Sequence, residues 1–396
     1  MKKLFAFIAL FAVSFGIGFA LSRFTPKEAF AFGKDKTNTD FVLIPTMQSK
    51  TDQQNRAWVG TFQIVWNDFQ DNLVKGPVKL AGDEKNIDVK ELNKQKFKAD
   101  MISSNYYYKT FGLISPELKT QIENGVMQKF NETSDIIGMI DWTPSPDKYL
   151  FYAMLKKDFK YYTPFDKLEP GRFSKFSGKV DYFGISPKSD SKLDDMVKIL
   201  FYNSQNDFAV SIQTTGKDIV YLYRTDDNKT FDKLYKDMIY KERGYMGWHD
   251  FLEKDELRVP NLNLYKLQQF SELTGKQVKG KDITIDNAIQ TLQFTMDNEG
   301  VKLKSEAAMA ATCSVSIEKK QAPRKCYLDD TFVVFLQEFD KKSPYFALRV
   351  YDLNLINATG KPIVKEEATE EETPAAATEE TTEAAASDST QTTDEK

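Results

Sequence analysis

The sequence of 396 residues predicts an α+β fold. Helix patterns come first along the chain, and strand patterns with occasional helices follow. No Pro/Gly/Ser-rich linker and no internal repeat interrupts the region from about Phe41 to Ile363. This order is typical of α+β domains, in which large mixed β-sheets pack against a cluster of helices. With 30 Phe and 18 Tyr, the composition permits a large core in a single domain of this length.

Five segments have the pattern of helices. The clearest begins at Ser115, a favoured N-cap residue, continues with Pro116 at the first helical position, and runs to about Phe130. The other four are Phe62–Phe69, the Lys-rich stretch Lys85–Lys98, Lys229–Ile239 and Lys266–Leu273.

Strand patterns dominate from Tyr149 onward. Tyr149–Leu155 is a continuous apolar run, as expected for a strand that is buried on both faces. Later apolar runs separated by turn residues indicate further strands. They are Val197–Tyr202, Phe208–Gln213, Ile219–Tyr223, Leu257–Leu264, Ala288–Met296, Thr331–Leu336 and Ser343–Val350.

The N-terminal end has the features of a secretory signal. Met1-Lys2-Lys3 is basic, Leu4–Leu21 is uncharged and mostly apolar, and Ala29-Phe30-Ala31 has small residues at the spacing that signal peptidase requires. We therefore expect residues 1–31 to be a signal peptide and the protein to be secreted, extracellular or periplasmic. The alternative is an uncleaved membrane anchor, because the apolar run is just long enough to span a bilayer.

The C-terminal residues 364–396 form a Thr/Glu/Ala-rich acidic tail. It has no aromatic residue, so it buries too little apolar surface to offset the entropy of ordering, and we expect it to be disordered. Residues 365–396 include 11 acidic and 2 basic residues, a net charge of −9 in a chain whose total is −4. The remainder is thus only weakly basic, which argues against general nucleic-acid binding.

A stretch of small residues, Ser305–Thr312, lies between two strand patterns. Such a segment is compatible with a loop and with a strand, and as a strand it has one mostly apolar face and one mostly small, polar face. The first face is Ser305, Ala307, Met309, Ala311, Cys313, Val315 and Ile317, and the second is Glu306, Ala308, Ala310, Thr312, Ser314, Ser316 and Glu318. A permanent strand and a mobile loop both remain open.

The series of patterns between about Ile114 and Asp352 resembles the serpin family in its order. The residues that carry the resemblance are Leu150–Met154 followed by Pro164-Phe165-Asp166, then Val259–Leu264, Phe294–Gly300, Ser305–Thr312 and Phe332–Asp352. The resemblance implies a serpin-like domain over residues 32–363. The chain departs from the family in lacking its early "SPxSI" segment, in having Tyr152 where an Asn is usual, and in placing Val301–Lys304 between Gly300 and Ser305.

The resemblance implies an inhibitor of serine proteases that is cleaved in an exposed loop and then inserts that loop into a β-sheet. Ser305–Thr312 would be the hinge of the loop. Counting from both ends places the scissile bond within Glu318, Lys319, Lys320 and Gln321, with Arg324 as a fallback. A Lys at this point favours trypsin-like proteases, although a charged run is also typical of a solvated turn.

The two cysteines, Cys313 and Cys326, flank the proposed scissile bond. In a secreted protein they are expected to form one disulfide. This bond would tether both cleaved ends and block full insertion. The alternative function is therefore a non-inhibitory extracellular binding module with a serpin-like fold and a locked loop.

The sequence indicates neither an enzyme nor a bound cofactor or metal ion. His249 is the only histidine, and there is no phosphate-binding loop and no zinc-ligand spacing. Lys90, Lys94 and Lys98 are spaced so that they share a helix face, which makes a site for a sulfated polysaccharide conceivable. A membrane is a partner only if residues 1–31 stay attached.

Overall fold

The computed structural model describes residues 41–134, 136–301, 322–354 and residue 356. The α-helices in this part of the chain, α1 to α4, are Gly60–Asp68, Ile87–Leu92, Pro116–Phe130 and Phe231–Gly244. None of the helices in the described ranges is long and apolar enough to cross a membrane.

The described residues also form nineteen strands. In chain order, β1 to β10 are Val42–Leu43, Arg56–Val59, Tyr107–Leu113, Tyr149–Leu155, Phe159–Lys160, Asp166–Phe173, Phe176–Ile185, Val197–Ser204, Asp207–Gln213 and Asp218–Arg224. Strands β11 to β19 are Glu256–Pro260, Leu262–Gln269, Lys276–Gln277, Thr284–Ile285, Ile289–Asp297, Gly300–Val301, Lys325–Tyr327, Phe332–Glu338 and Phe346–Val350.

These strands assemble into three larger sheets and two pairs. Sheet I has the order β1-β2-β19-β18-β10-β9-β8, sheet II the order β17-β11-β7-β6, and sheet III the order β12-β15-β16-β5. The pairs are β13-β14 and β3-β4. Mixed sheets with a few helices confirm the predicted α+β class.

The core is divided into two clusters. The larger one includes the buried faces of sheets I, II and III together with α1 and α4. The smaller one belongs to β3, α3 and β4, where Leu118, Ile122 and Val126 of the helix pack against Leu150 and Tyr152 of β4. The segment from β3 to β4 is therefore a module with its own small core, which we call the β3–β4 module.

Helix α3 follows the sequence prediction from its first residue to its last. Ser115 is in an extended conformation and its side chain accepts a hydrogen bond from Leu118 N at 3.2 Å, so it caps the helix. Asn131 ends the helix in the left-handed conformation, with φ of 52°. Local sequence is sufficient to specify this helix, because the cap at Ser115 begins it and the left-handed backbone at Asn131 ends it.

Two predicted helices are wrong in part. The predicted helix Lys85–Lys98 is shortened to α2, because Gln95 turns left-handed and Phe97 folds back into the core. The predicted helix Lys266–Leu273 begins as strand β12, since residues up to Gln269 pair with β15. Pairing between strands outweighs the local helix preference of that segment.

The predicted strand Leu257–Leu264 is two strands. Asn261 separates β11, which belongs to sheet II, from β12, which belongs to sheet III. The strand Tyr149–Leu155 is present as β4, but burial on both faces is wrong, because only Leu150 and Tyr152 are buried. These two side chains face α3, whereas the alternate ones face a cleft.

Candidate functional site

A cleft of about 760 Å³ lies between β4 and β15 among the described residues. In the part of the chain that the structure describes, β4 pairs with β3 only, and β15 pairs with β12 along its length and with β16 at its end. Apart from β16 at the end of β15, no described strand lies on the edge that either strand presents to the cleft. We call this opening the β4/β15 cleft.

The floor of the cleft is apolar and comes from α1. Phe62, Trp66 and Phe69 of this region line it, together with Phe151 of β4 and Phe294 of β15. Helix α1 forms where the sequence predicted a helix, and it places the rings of Phe62 and Trp66 beneath the gap. Any strand that entered the cleft would bury its inner side chains on this floor.

One polar contact crosses the floor. Gln290 of β15 donates from Nε2 to Thr61 Oγ1 at 2.8 Å and to the carbonyl oxygen of Val59 at 3.3 Å. Its Oε1 atom is buried and has no hydrogen-bond partner among the described residues. The cleft thus contains an acceptor whose desolvation is not compensated.

The head of the cleft is closed by β16, which lies between two strands. Gly300 and Val301 pair with Asp297 and Met296 of β15 on one side, and with β5 on the other. Val301 is fully buried. The chain that leaves β15 has therefore turned back and entered the sheet at the head of the cleft.

Gly300 makes this turn sterically feasible. Its φ is +150°, and a Cβ atom at this position would lie 2.3 Å from the carbonyl oxygen of Phe159. Only glycine has no such atom, so the backbone approaches β5 closely. Gly300 is the last residue of Phe294–Gly300, one of the stretches that carry the sequence resemblance, and this is its physical role.

The backbone groups of both edges are in phase with β16. In the register of β4, Lys156 N donates to Tyr106 O. The backbone N–H and C=O groups of even-numbered residues therefore bond to β3, and those of odd-numbered residues point towards the cleft. In β15, Phe270 N donates to Ala288 O, which again leaves the odd-numbered residues facing the cleft. Tyr161 N donates to Glu299 O, which puts β5 in the same phase as β4.

On the far side of residues 302–321, the chain is anchored at Arg324. Its side chain is 2% exposed and donates to Asp255 Oδ2 from Nε and Nη2 at 3.1 and 2.6 Å. It also donates to the carbonyl oxygens of Trp248 and Asp250. A buried guanidinium with these partners is not accessible to a protease, so the fallback scissile position at Arg324 is wrong.

Cys326 is fully buried in β17, and burial raises the pKa of its thiol above the ordinary range. Its sheet, sheet II, contributes no residue to the lining of the β4/β15 cleft. Cys313 lies outside the described residues, as do the predicted hinge Ser305–Thr312 and the predicted scissile residues Glu318, Lys319, Lys320 and Gln321. The disulfide therefore stays a prediction.

The lysines of the predicted polysaccharide site do not share one helix. Lys90 lies on α2, but Lys94 and Lys98 follow its end, and Lys94 Nζ is 2.5 Å from Glu91 Oε1. This ion pair neutralises part of the positive charge. Polysaccharide binding stays a prediction, and salt-sensitive retention on heparin would test it.

No group of acidic, His or Cys side chains in the described ranges is arranged to hold a metal ion.

One polar residue in the cleft and one beside it were missed in the sequence. Gln290 had a detectable signal, because it alternates with Leu292 and Phe294 and so lies on the apolar face of its strand. Lys157, which is fully buried just beyond β4, had no local signal. It follows Lys156 and precedes Asp158, as in an ordinary solvated turn.

No family model matches the chain, and no curated protein matches it. Several solved structures match the chain. Serpin48, a highly specific serpin of the insect Tenebrio molitor, is 15% identical with a TM-score of 0.37, over 70% of this chain and 74% of Serpin48. Human thyroxine-binding globulin in complex with thyroxine is 12% identical with a TM-score of 0.37, over 60% of this chain and 65% of that one.

The family that the sequence motifs resemble is the one to which these structural neighbours belong. One is described as a specific serpin and the other as a complex with thyroxine. At these identities and TM-scores the likeness is distant. The function of this chain is therefore argued from its own strands and contacts.

Proposed function

We propose that this chain is a divergent serpin-fold protein that inhibits a serine protease by inserting residues after Val301 into the β4/β15 cleft. The observation that supports it best is β16. It lies at the head of the cleft, between β15 and β5, and its direction leads into the gap. Both cleft edges have backbone groups that a further strand would satisfy.

The register of β16 predicts how far insertion would go. Continued along β15, it places Lys302 opposite Thr295, and continued along β5 and β4 it places Ala311 opposite Tyr149. Even-numbered inserted residues would bond to β15 and odd-numbered ones to β4, which agrees with the phase of both edges. About ten residues, 302–311, would fill the cleft.

The same register assigns the two faces of the inserted strand. Val301 lies opposite Met296, so odd-numbered residues would lie on the buried face of β15, above α1. These residues include Ala307, Met309 and Ala311, the apolar face identified in the sequence. Lys302, Lys304 and the other even-numbered residues would face outward. The order of apolar and polar residues thus suits insertion in this register.

Cleavage by the protease would release the predicted hinge so that it can insert. While the loop is intact, its two ends are held by β16 and by the Arg324 anchor. A protease that cleaves near Lys319 or Lys320 would free the hinge from the second anchor. The acyl-enzyme, carried on the inserting strand, would then be displaced from the head of the cleft. Lys at the cleaved bond favours trypsin-like targets.

The experiment is incubation of the mature protein with trypsin, followed by electrophoresis in SDS. We expect a covalent complex that survives SDS when Cys313 and Cys326 are reduced. Catalytically inactive trypsin, whose nucleophilic serine is replaced by alanine, is the matched control and should give no such complex. Cleavage at Lys319 or Lys320 without any complex, under both reducing and oxidising conditions, would contradict inhibition.

A second function is favoured by Cys326. Because sheet II contributes nothing to the cleft lining, a disulfide to Cys326 would hold Cys313 away from the cleft. The protein would then be a non-inhibitory extracellular binding module with a locked loop. Mass spectrometry of the non-reduced protein tests this directly, since a peptide linking Cys313 to Cys326 is expected only in this case.

Secretion belongs to the same proposal. Residues 1–31 as a signal peptide and 364–396 as a disordered acidic tail both lie outside the described residues. Sequencing the N-terminus of the exported protein should find it beginning at Phe32, whereas a retained Met1 would support the membrane-anchored alternative. No enzymatic activity is proposed.

A further inference from the structure

A buried lysine joins the upper end of β4 to sheet I. Lys157 lies between β4 and β5 and is fully buried. Its Nζ atom is 2.5 Å from Asp218 Oδ1 and 2.7 Å from Glu338 Oε1. The rings of Tyr106 and Tyr345 have their centroids 4.2 and 4.4 Å from the same atom. A lysine in such surroundings is held by charge, hydrogen bonds and aromatic faces together.

The two carboxylates are neighbours in sheet I. Asp218 of β10 and Glu338 of β18 are register partners, and both are buried. Like charges placed opposite each other destabilise a sheet unless a cation lies between them. Tyr345 Oη donates to Asp218 Oδ1 at 2.9 Å, and Ser103 N donates to Glu338 at 3.1 Å. With both carboxylates ionised, the cluster has a net charge of −1.

The β3–β4 module has few other fixed links to sheet I. Within the described residues, β3 and β4 form a sheet of their own and share no strand pairing with sheets I or III. Tyr107, Phe151 and Leu155 pack against the larger core, and apolar contacts of this kind are not directional. Lys157 and Ser103 supply directional contacts to sheet I right at the ends of the module, and further bonds among the described residues lie only outside it, at the Tyr161–Thr214 bridge and between Lys341 Nζ and Asp100 O.

We propose that Lys157 is a positioning residue that, through Asp218 and Glu338, locks the upper end of β4 to sheet I and controls how readily the β4/β15 cleft widens. The lock itself depends only on the described contacts. Its effect on insertion rests on the proposed function. Residues entering the cleft would pass Lys157, because the register of β16 places residue 303 opposite it.

The lock should depend on pH. Burial raises the pKa of Asp218, and Lys157 and Tyr345 counteract this rise. The other titratable groups near the cluster are Glu338 and Tyr106, followed by the Lys217–Asp340 pair at the surface. A carboxyl whose pKa is raised binds a proton more tightly in the folded chain, so its contribution to stability falls as the pH rises above its unfolded value of 3.8.

Removing the lysine should make the loss of stability with rising pH larger. In Lys157→Met, two buried carboxylates face each other without a cation, and one of them would take up a proton at low pH. We expect the urea midpoint to drop more at pH 8 than at pH 5. A purely packing role would give the same drop at both values.

Hydrogen–deuterium exchange followed by mass spectrometry tests the location of the effect. In Lys157→Met at pH 8, we expect exchange about tenfold faster or more in β3 and β4, with β8 and β9 unchanged. Lys241→Met is the matched control, since Lys241 also contacts two carboxylates, Asp207 and Asp237, but joins α4 to sheet I. It should leave β3 and β4 unchanged.

The outcomes separate this inference from the proposed function. Unchanged exchange in β3 and β4, or a loss of stability independent of pH, would overturn the lock whether or not trypsin is trapped. Faster exchange in β4 without any trypsin complex would support the lock while the inhibitory function fails. If Lys157→Met does not fold, the balanced variant Lys157→Met/Asp218→Asn, which removes one charge of each sign, should fold and show the same faster exchange with a weaker pH dependence.

Discussion

Single residues set the geometry at Gly300 and at Arg324, the two described positions that flank residues 302–321. At one end Gly300 has φ of +150° and no Cβ atom, which allows β16 to lie directly against Phe159. At the other end Arg324 uses a buried carboxylate and two backbone carbonyl oxygens to hold the chain. Gly300 has this role because it has no Cβ atom, which alanine would add. Arg324 has its role because the guanidinium presents a planar set of donors, which lysine lacks.

The glycine anchor gives a residue-scale prediction. Gly300→Ala should lower the free energy of unfolding by about 1–3 kcal/mol, because the added Cβ atom meets the carbonyl oxygen of Phe159 and the backbone conformation is strained for alanine. Urea denaturation would measure it. Gly244→Ala is the control, since a Cβ atom there meets nothing within 4 Å. Equal midpoints for the two variants would show that the close approach at Gly300 is not restrictive.

At the scale of elements, the arrangement of strands matters more than any one side chain. β4 and β15 both have odd-numbered residues facing the gap, and β16 enters between them in matching phase. A shift by one residue in any of the three strands would put hydrogen-bonding groups out of step and turn apolar side chains outward. The cleft is therefore specific for one register of an incoming strand.

This register predicts opposite effects for neighbouring substitutions. Ala307→Asp would place a charge on the buried face of the inserted strand, so cleavage should no longer raise the melting temperature of the protein. Ala308→Asp places the same charge on the outward face and should preserve the rise. Calorimetry of each variant before and after cleavage by trypsin would test this. The reverse pattern would mean that the chain inserts one residue out of the register of β16.

On the scale of the whole molecule, a disulfide between the two cysteines would oppose insertion of the chain into the cleft. Cys326 lies in sheet II, and insertion of residues 302–311 would place Cys313 two residues beyond the end of the inserted strand. A disulfide would stabilise the folded, uncleaved protein by about 3 kcal/mol in the chain-entropy model. It would also keep the hinge near sheet II. Redox state is therefore expected to decide between an inhibitor and a locked binding module.

The corresponding prediction concerns thermal stability. After cleavage under reducing conditions, the melting temperature should rise on the order of 10 °C, because a ladder of about ten residues adds roughly 0.5–1.5 kcal/mol per hydrogen bond before the entropy of ordering is subtracted. Under oxidising conditions the rise should be absent in the natural chain and restored in Cys313→Ser. A rise that is the same in both conditions without the substitution would exclude a locking disulfide.

Local sequence determined the elements whose signals act within a few residues. Ser115 and Pro116 specify the start of α3, and the alternation of Gln290, Leu292 and Phe294 specifies the two faces of β15. The order of such elements along the chain was sufficient for the α+β class and for the serpin resemblance. The local pattern was insufficient for Lys266–Gln269, which forms a strand because β15 supplies its hydrogen-bond partners.

Only the tertiary structure decided where the cleft is and what surrounds it. The gap exists because β4 and β15 are placed side by side without pairing, and this depends on contacts between residues far apart in sequence. Lys157 is an example, since Asp218 and Glu338 lie 61 and 181 positions further along the chain. Local periodicity determines which face of a strand is apolar, whereas the burial of a charge depends on which distant groups surround it.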